Sequence, residues 1–194
     1  MKRGKLFTVS GPMFAGKTNL LIKEYGGGQD AVVFKPDLDR HYTKKPLVVS
    51  HDRLEIPSVL VNNDRPEEML ELVGEVGRVF IDGISFFSEA LIAVVEKLLD
   101  QGKEVWVVGL DRYADGEPWG PMLKIKMKAD KHYELFARCD GLQGKCSKPA
   151  TRSYYKKPHM HRLTVAGVEE YGAACEEHYQ ILHHEPRRER QKKR

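Results

Sequence analysis

Residues 6–18 read LFTVSGPMFAGKT, and the fold turns on how that stretch divides. Its first half belongs to a β-rich run, Lys5 to Ser10, that stops at Gly11. Its second half, Gly11-Pro12-Met13-Phe14-Ala15-Gly16-Lys17-Thr18, has the spacing G-x-x-x-x-G-K-[ST]. A helical stretch, Lys17 to Tyr25, follows and is cut off by Gly26-Gly27-Gly28. Strand, glycine loop and helix in that order let backbone N–H groups and a helix N-terminus close around phosphate oxygens. Lys17 would then reach the β- and γ-phosphates of a nucleotide, and Thr18 would hold Mg²⁺.

Further along, strands alternate with helices. Ala31–Lys35 reads as a buried strand ended by Pro36, and 36–54 as a polar loop holding the short run Leu47–Ser50. Asn63 or Asp64 can cap a helix beginning near Pro66, with Glu67 and Glu68 in its first turn, where the helix dipole favours acids. Then come a strand over Val79–Asp82, a helix over Ser88–Leu99 and a strand over Val105–Leu110. The alternation predicts an α/β fold: a P-loop NTPase-type parallel sheet with helices on both faces. In such a sheet Asp82, delivered by the strand Val79-Phe80-Ile81, is the carboxylate that would help hold Mg²⁺.

Near Arg138 the texture changes: apolar runs shorten, and Cys, His, Tyr and Lys dominate. This predicts three parts, a P-loop domain over 1–135, a small metal-dependent domain over 136–184, and a basic, solvated, flexible tail over 185–194. The small domain has too thin a core to stand without a metal. Its ligands are Cys139 and Cys146, six residues apart, then Cys175 and His178 in a C-x-x-H pair. Three thiolates and an imidazole suit a closed tetrahedral zinc site. The apolar stretch of MKRGKLFTVSG is too short for a signal peptide, so a cytoplasmic chain is expected. An odd count of three cysteines there argues against a disulfide framework and for metal ligands or free thiols.

Charge and hydropathy remove other classes. The net charge is +4, and the last ten residues, EPRRERQKKR, carry +4 alone, so the rest of the chain balances to zero. A nucleic-acid partner is therefore not expected of the body. No apolar run approaches the roughly 20 residues of a membrane span.

Together these motifs resemble the zinc-containing, P-loop type of thymidine kinase, over nearly the whole chain. GPMFAGKT (11–18) is close to that family's GPMFSGK followed by Ser or Thr, and SHDR (50–53) to its SHD segment. VFIDGISFF (79–87) is similar to V-x-I-D-E-x-Q-F-F, and LDRYADGEPWG (110–120) to L-D-x-x-F-x-x-x-P-F-G. Gly167 to Tyr179 resembles the C-terminal motif, a glycine and an acid before Tyr, then C-x-x-[CH].

The resemblance implies ATP-dependent phosphorylation of the 5′-hydroxyl of deoxythymidine or a closely related deoxynucleoside, in pyrimidine salvage. It puts Gly11–Thr18, Asp82 and Ser85 on the donor side, with Lys17, Asp82 and Arg53 catalytic and Thr18 and Asp82 on Mg²⁺. It puts the nucleoside against Met13, Asp52, Phe86, Tyr113, Trp119, Tyr171 and a lasso of Thr164, Val165, Ala166 and Gly167. Structural Zn²⁺ and a homotetramer are also implied. Aromatic faces that bury a flat pyrimidine are consistent chemistry.

One departure matters most. Where the family has Asp followed by Glu, its general base, this chain has Asp82-Gly83, and Ser85 replaces the family's Gln. A general base is worth about 10²–10⁴ in rate, while phosphoryl transfer depends mainly on positioning and charge neutralisation. The expectation is a slower enzyme, with Asp52, Asp111, Asp115 or Glu117 as substitute bases. Two other readings stand beside it. One is a catalytically impaired nucleotide-binding homologue acting as a regulatory or binding module. The other is a nucleic-acid-associated ATPase using the basic tail.

Overall fold

The computed structural model describes residues 2–37, 46–50, 54–141, 145–156 and 170–182. Asp52, Arg53, the lasso residues Thr164, Val165, Ala166 and Gly167, and the tail 185–194 lie outside the described residues.

In chain order the elements are β1 (Leu6–Ser10), α1 (Lys17–Tyr25), β2 (Ala31–Pro36), β3 (Leu47–Val49), β4 (Glu55–Pro57) and β5 (Val59–Val61). Next come α2 (Glu68–Leu72), β6 (Arg78–Ile81), α3 (Leu91–Asp100), β7 (Glu104–Val108), α4 (Met122–Lys126) and β8 (Lys131–Glu134). The last are β9 (Ala137–Arg138), β10 (Pro149–Ala150), β11 (Arg152–Tyr155) and β12 (Tyr171–Ala174), and residues 176–182 are helical.

Six strands form one sheet in the order β5-β2-β6-β7-β1-β8, and every pairing in it is parallel. The inner strands are near-continuous apolar runs, RVFI in β6 and EVWVV in β7. That composition fits a strand covered on both faces. One face packs Leu6, Phe34, Val79, Ile81, Val105 and Val107 against α2, α3 and α4. α3 supplies Leu91, Val94, Val95, Leu98 and Leu99, an apolar stripe at helical spacing. The other face carries an aromatic layer. Trp106 stacks on Phe7 at 4.5 Å, on Tyr133 at 5.7 Å and on Phe80 at 6.1 Å. Tyr25 of α1 meets Phe80 edge-on at 5.8 Å. The expected α/β sheet with helices on both faces is therefore observed.

Local boundaries differ from the sequence reading at several places. α2 starts at Glu68, two residues after Pro66, and no side chain caps it. Asn62 Oδ1 instead accepts the Asp64 N–H at 2.9 Å, so the polar run closes a turn before the helix. The apolar pattern does not announce β4, β5, α4 and β8, nor the short strands β9 to β12. β8, KHYE, is polar and half-exposed and pairs with β1 alone, so it has no apolar run to announce it.

The chain divides into two compact units. The first holds the residues up to Ser10, Gly16–Asp111 and Trp119–Glu134; the second holds Gly11–Ala15, Arg112–Pro118 and the chain from Leu135. Among its described residues are three small antiparallel features: β9 with β10, β11 with β12, and the bridge Arg112↔Pro118.

Candidate functional site

In the first unit the site gathers where strands of the sheet end. α1 opens at Gly16, which takes a left-handed φ of 78° that a glycine adopts without strain. No side chain caps this N-terminus. An uncapped first turn leaves backbone N–H groups to be satisfied by something else, and an anion is what they suit. Lys17 is the first residue of the helix. Burial pushes its ammonium down to about 8, while the charges of Asp82 and Asp111 pull it back up. Lys17, Asp82 and Asp111 are therefore one electrostatic cluster.

Asp82 follows β6, and its N–H donates to the Phe34 carbonyl at 2.9 Å, which extends the β2–β6 ladder by one step. The chain then turns at Gly83 (φ 66°, ψ 31°) into a single 3₁₀ turn, Ile84–Phe86. A Cβ at residue 83 would stand 3.1 Å from Pro36 Cδ and 3.2 Å from its Cγ. Ser85 is buried, and its Oγ accepts the Leu110 N–H at 3.1 Å. It ties the turn to the segment after β7 and faces the protein interior. Phe86 meets Trp119 edge-on at 5.0 Å, and the Trp119 N–H donates to the Asp111 carbonyl at 3.0 Å. Phe86, Trp119 and Asp111 are thus brought together.

His132, which no motif announced, also belongs to this neighbourhood. Its ring nitrogens meet the hydroxyls of Thr8 at 2.9 Å and Ser10 at 3.4 Å, at the end of the strand that enters the glycine loop. Burial first, then Lys126, lowers its pKa against the opposing pull of Glu134 and Asp111.

The second unit contains the remaining described candidates. In Gly11–Ala15, the Met13 N–H donates to Ser153 Oγ at 2.9 Å, and Phe14 takes a positive φ of 65°. Phe14 and Ala15 pack on the apolar cluster of the C-terminal strands. Tyr113 sits in the turn Arg112–Pro118, where its N–H donates to the Glu117 carbonyl at 2.8 Å. Asp115 Oδ1 accepts the Glu117 N–H at 3.1 Å, and Glu117 itself is exposed. Tyr171 is buried on β12 against Tyr155, ring centroids 5.2 Å apart; burial and then Tyr155 drive its pKa upward.

Cys139, Cys146, Cys175 and His178 converge, with their ligand atoms all within 4.8 Å of one another. His178 Nδ1 lies 3.4 Å from Cys139 Sγ and 3.3 Å from Cys175 Sγ. None of the three cysteines is in a disulfide. A tetrahedron with Zn–S near 2.3 Å has its sulfurs about 3.8 Å apart, so this cluster fits zinc with little movement. The N–H groups of Gly141 and Cys175 donate to Cys139 Sγ at 3.4 and 3.2 Å, the kind of outer support a thiolate ligand uses.

The family model described as thymidine kinase matches residues 4–179. The chain belongs to the thymidine kinase family. Thymidine kinases of several organisms are similar along almost their whole length. That of Porphyromonas gingivalis is 31% identical over 193 residues, 97% of this chain and 91% of its own. That of Onion yellows phytoplasma is 31% identical over 185 residues, covering 91% and 87%. That of Bacteroides thetaiotaomicron is 32% identical over 182 residues, covering 92% and 88%. Membership of the thymidine kinase family makes this a nucleoside kinase-type chain that uses a nucleotide. Among the described residues, no helix is long and apolar enough to cross a membrane.

Proposed function

We propose that the protein transfers the γ-phosphoryl group of ATP to the 5′-hydroxyl of deoxythymidine or a close deoxynucleoside, in pyrimidine salvage. The observation that carries the reading is the Lys17–Asp82–Asp111 cluster at the start of α1, in a chain of the thymidine kinase family. The reaction breaks the bond between the γ-phosphorus and the β,γ-bridging oxygen. It forms a bond from the 5′-oxygen to the same phosphorus, and ADP leaves. The 5′-proton goes to a carboxylate.

Gly11–Thr18 would bind the donor phosphates. Lys17 supplies a cation there, and membership of a kinase family supports nucleotide use. Thr18 and Asp82 would hold Mg²⁺, whose chemistry is to neutralise charge developing on the phosphoryl oxygens. Phe86 and Trp119 offer an edge-to-face aromatic pair for the base, and Arg53, Asp52 and Thr164–Gly167 keep the roles that the resemblance implies. Met13, Tyr113 and Tyr171 belong to the nucleoside side of the same proposal, as does Zn²⁺ in the Cys139–Cys146–Cys175–His178 cluster. The reading also includes a homotetramer and cytoplasmic residence. Free thiols at metal-ligand positions favour a reducing compartment.

Gly83 cannot supply a base, and another acid can take the proton in its place. Asp111 is favoured, because its charge reaches Lys17 in the same unit, whereas Asp115 is engaged by the Glu117 N–H and Glu117 is exposed. A panel of deoxynucleosides with ATP and Mg²⁺ tests the reading. Thymidine should give the best kcat/KM, and Asp111→Asn should lower kcat by about 10²–10⁴ with little change in nucleoside KM. Binding of thymidine and ATP with no monophosphate formed would favour the impaired, regulatory homologue instead.

A further inference from the structure

Lys35 lies on an inner strand of the sheet, β2, and is 2% exposed. Lysine is almost never this deeply buried unless its charge has work to do, since burying an ammonium is costly. The backbone register says where that charge is. Phe34 pairs with Ile81, and the Asp82 N–H to Phe34 carbonyl bond continues the ladder. One step further, Pro36 lies against Gly83. Lys35 therefore stands beside Asp82 in the register.

The faces agree as well. Phe34 and Ile81 both point into the cluster covered by α2, α3 and α4, so the next residue on each strand points to the opposite face. That is the face of Phe80, on which α1 lies through Tyr25. Lys35, Asp82 and the Lys17 end of α1 thus share one face at one end of the sheet. The electrostatic contact between Lys17 and Asp82 is consistent with this placement.

We infer that Lys35 is a positioning residue: a second, buried lysine that holds the Asp82 carboxylate in the orientation needed to receive a metal–nucleotide. Its burial excludes the alternative of a direct phosphate contact in this conformation. Lys17 serves the donor phosphates from the helix, and Lys35 serves the carboxylate from the neighbouring strand. The inference rests on the proposed kinase reading, in which Asp82 faces the metal.

The test is calorimetric binding of ADP with and without Mg²⁺, on the full chain and on Lys35→Met, Lys35→Gln and Lys35→Arg. Steady-state kinetics are run in parallel. Lys35→Met and Lys35→Gln should bind metal-free ADP as the natural chain does, yet lose about tenfold or more of the affinity that Mg²⁺ adds. Their kcat should fall while thymidine KM stays within about twofold, and Lys35→Arg, whose bulkier planar cation displaces the charge, should lie between them and the natural chain in both. In an Asp82→Asn background, Lys35→Gln should have no further effect on the Mg²⁺ increment. A lower melting temperature with the Mg²⁺ increment intact in either neutral variant would overturn the inference, leaving Lys35 as a stability residue. If neither neutral variant folds, Lys35→Arg decides. Its altered Mg²⁺ increment with unchanged metal-free binding supports the role, and an unaltered increment with a lower melting temperature overturns it. A natural chain that binds no ADP at all would overturn the kinase reading, and this inference with it.

Discussion

Gly83 looks in the sequence like a deletion of function, but the structure gives it a conformational job. Its φ of 66° starts the 3₁₀ turn that carries Ser85 and Phe86, and Pro36 closes the space where a Cβ would go. A side chain there costs about 1–2 kcal/mol from the left-handed backbone alone. Gly83→Ala should lower the free energy of unfolding in urea by about that amount or slightly more; an unchanged midpoint would remove the strain argument. Gly83→Glu would carry the same strain, so an acid placed there comes with a distorted turn and is a poor way to ask whether a base is missing. His132 makes a second residue-scale prediction. Its folded pKa is lowered, so the unfolded chain takes up the proton first as pH falls below about 6.5. Stability from this residue is present above that pH and is lost as pH drops through the lowered folded value. The groups facing it are Thr8 and Ser10 from β1, Lys126 from α4, Glu134 from its own strand and Asp111 after β7. His132→Gln should flatten the fall in melting temperature between pH 6.5 and 5 relative to the natural chain. An equal fall in both would show that the imidazole carries no such linkage.

Among elements, legibility followed apolar patterning. β1, β2, β6, β7 and α3 declare themselves because inner strands are apolar runs and α3 has a full stripe at helical spacing. α1 was legible to the residue, because a glycine loop sets its start and Gly26, at φ 63°, ends it. β8 and α4 escaped, one because it is a polar edge strand, the other because five residues give no readable period. Lys35 is a different case: the sequence places it in a buried strand, and only the register beside β6 sets it next to Asp82. The C-terminal cluster is the reverse case, since its four ligands were named from chemistry and the structure draws them within 4.8 Å. Elemental analysis should find about one zinc per chain. Cys146→Ser should lose most of it and melt several degrees lower, because in so small a unit metal binding is part of folding. Full zinc content in that variant would assign the site to other ligands.

At the scale of the molecule, one sheet sets the chemistry. Six parallel strands end on a common edge, and that edge collects the cation of α1, the carboxylate after β6 and the acid after β7. Ligands of open α/β sheets sit at such an edge because helix N-termini and strand-end side chains converge there. The family match over residues 4–179 agrees with that chemistry. Gly83 leaves Asp82, the carboxylate proposed to hold the metal, in place and stands where the family has the adjoining acid. Since phosphoryl transfer relies on positioning and charge, a chain with Lys17 and Asp82 in one cluster should still turn over. The direct measurement is single-turnover transfer of label from γ-³²P-ATP to thymidine, by the natural chain and by Asp82→Asn. Labelled thymidine monophosphate from the natural chain, falling by about 10³ or more in the variant, is the predicted result. Tight binding of both substrates with no labelled monophosphate from the natural chain would contradict it.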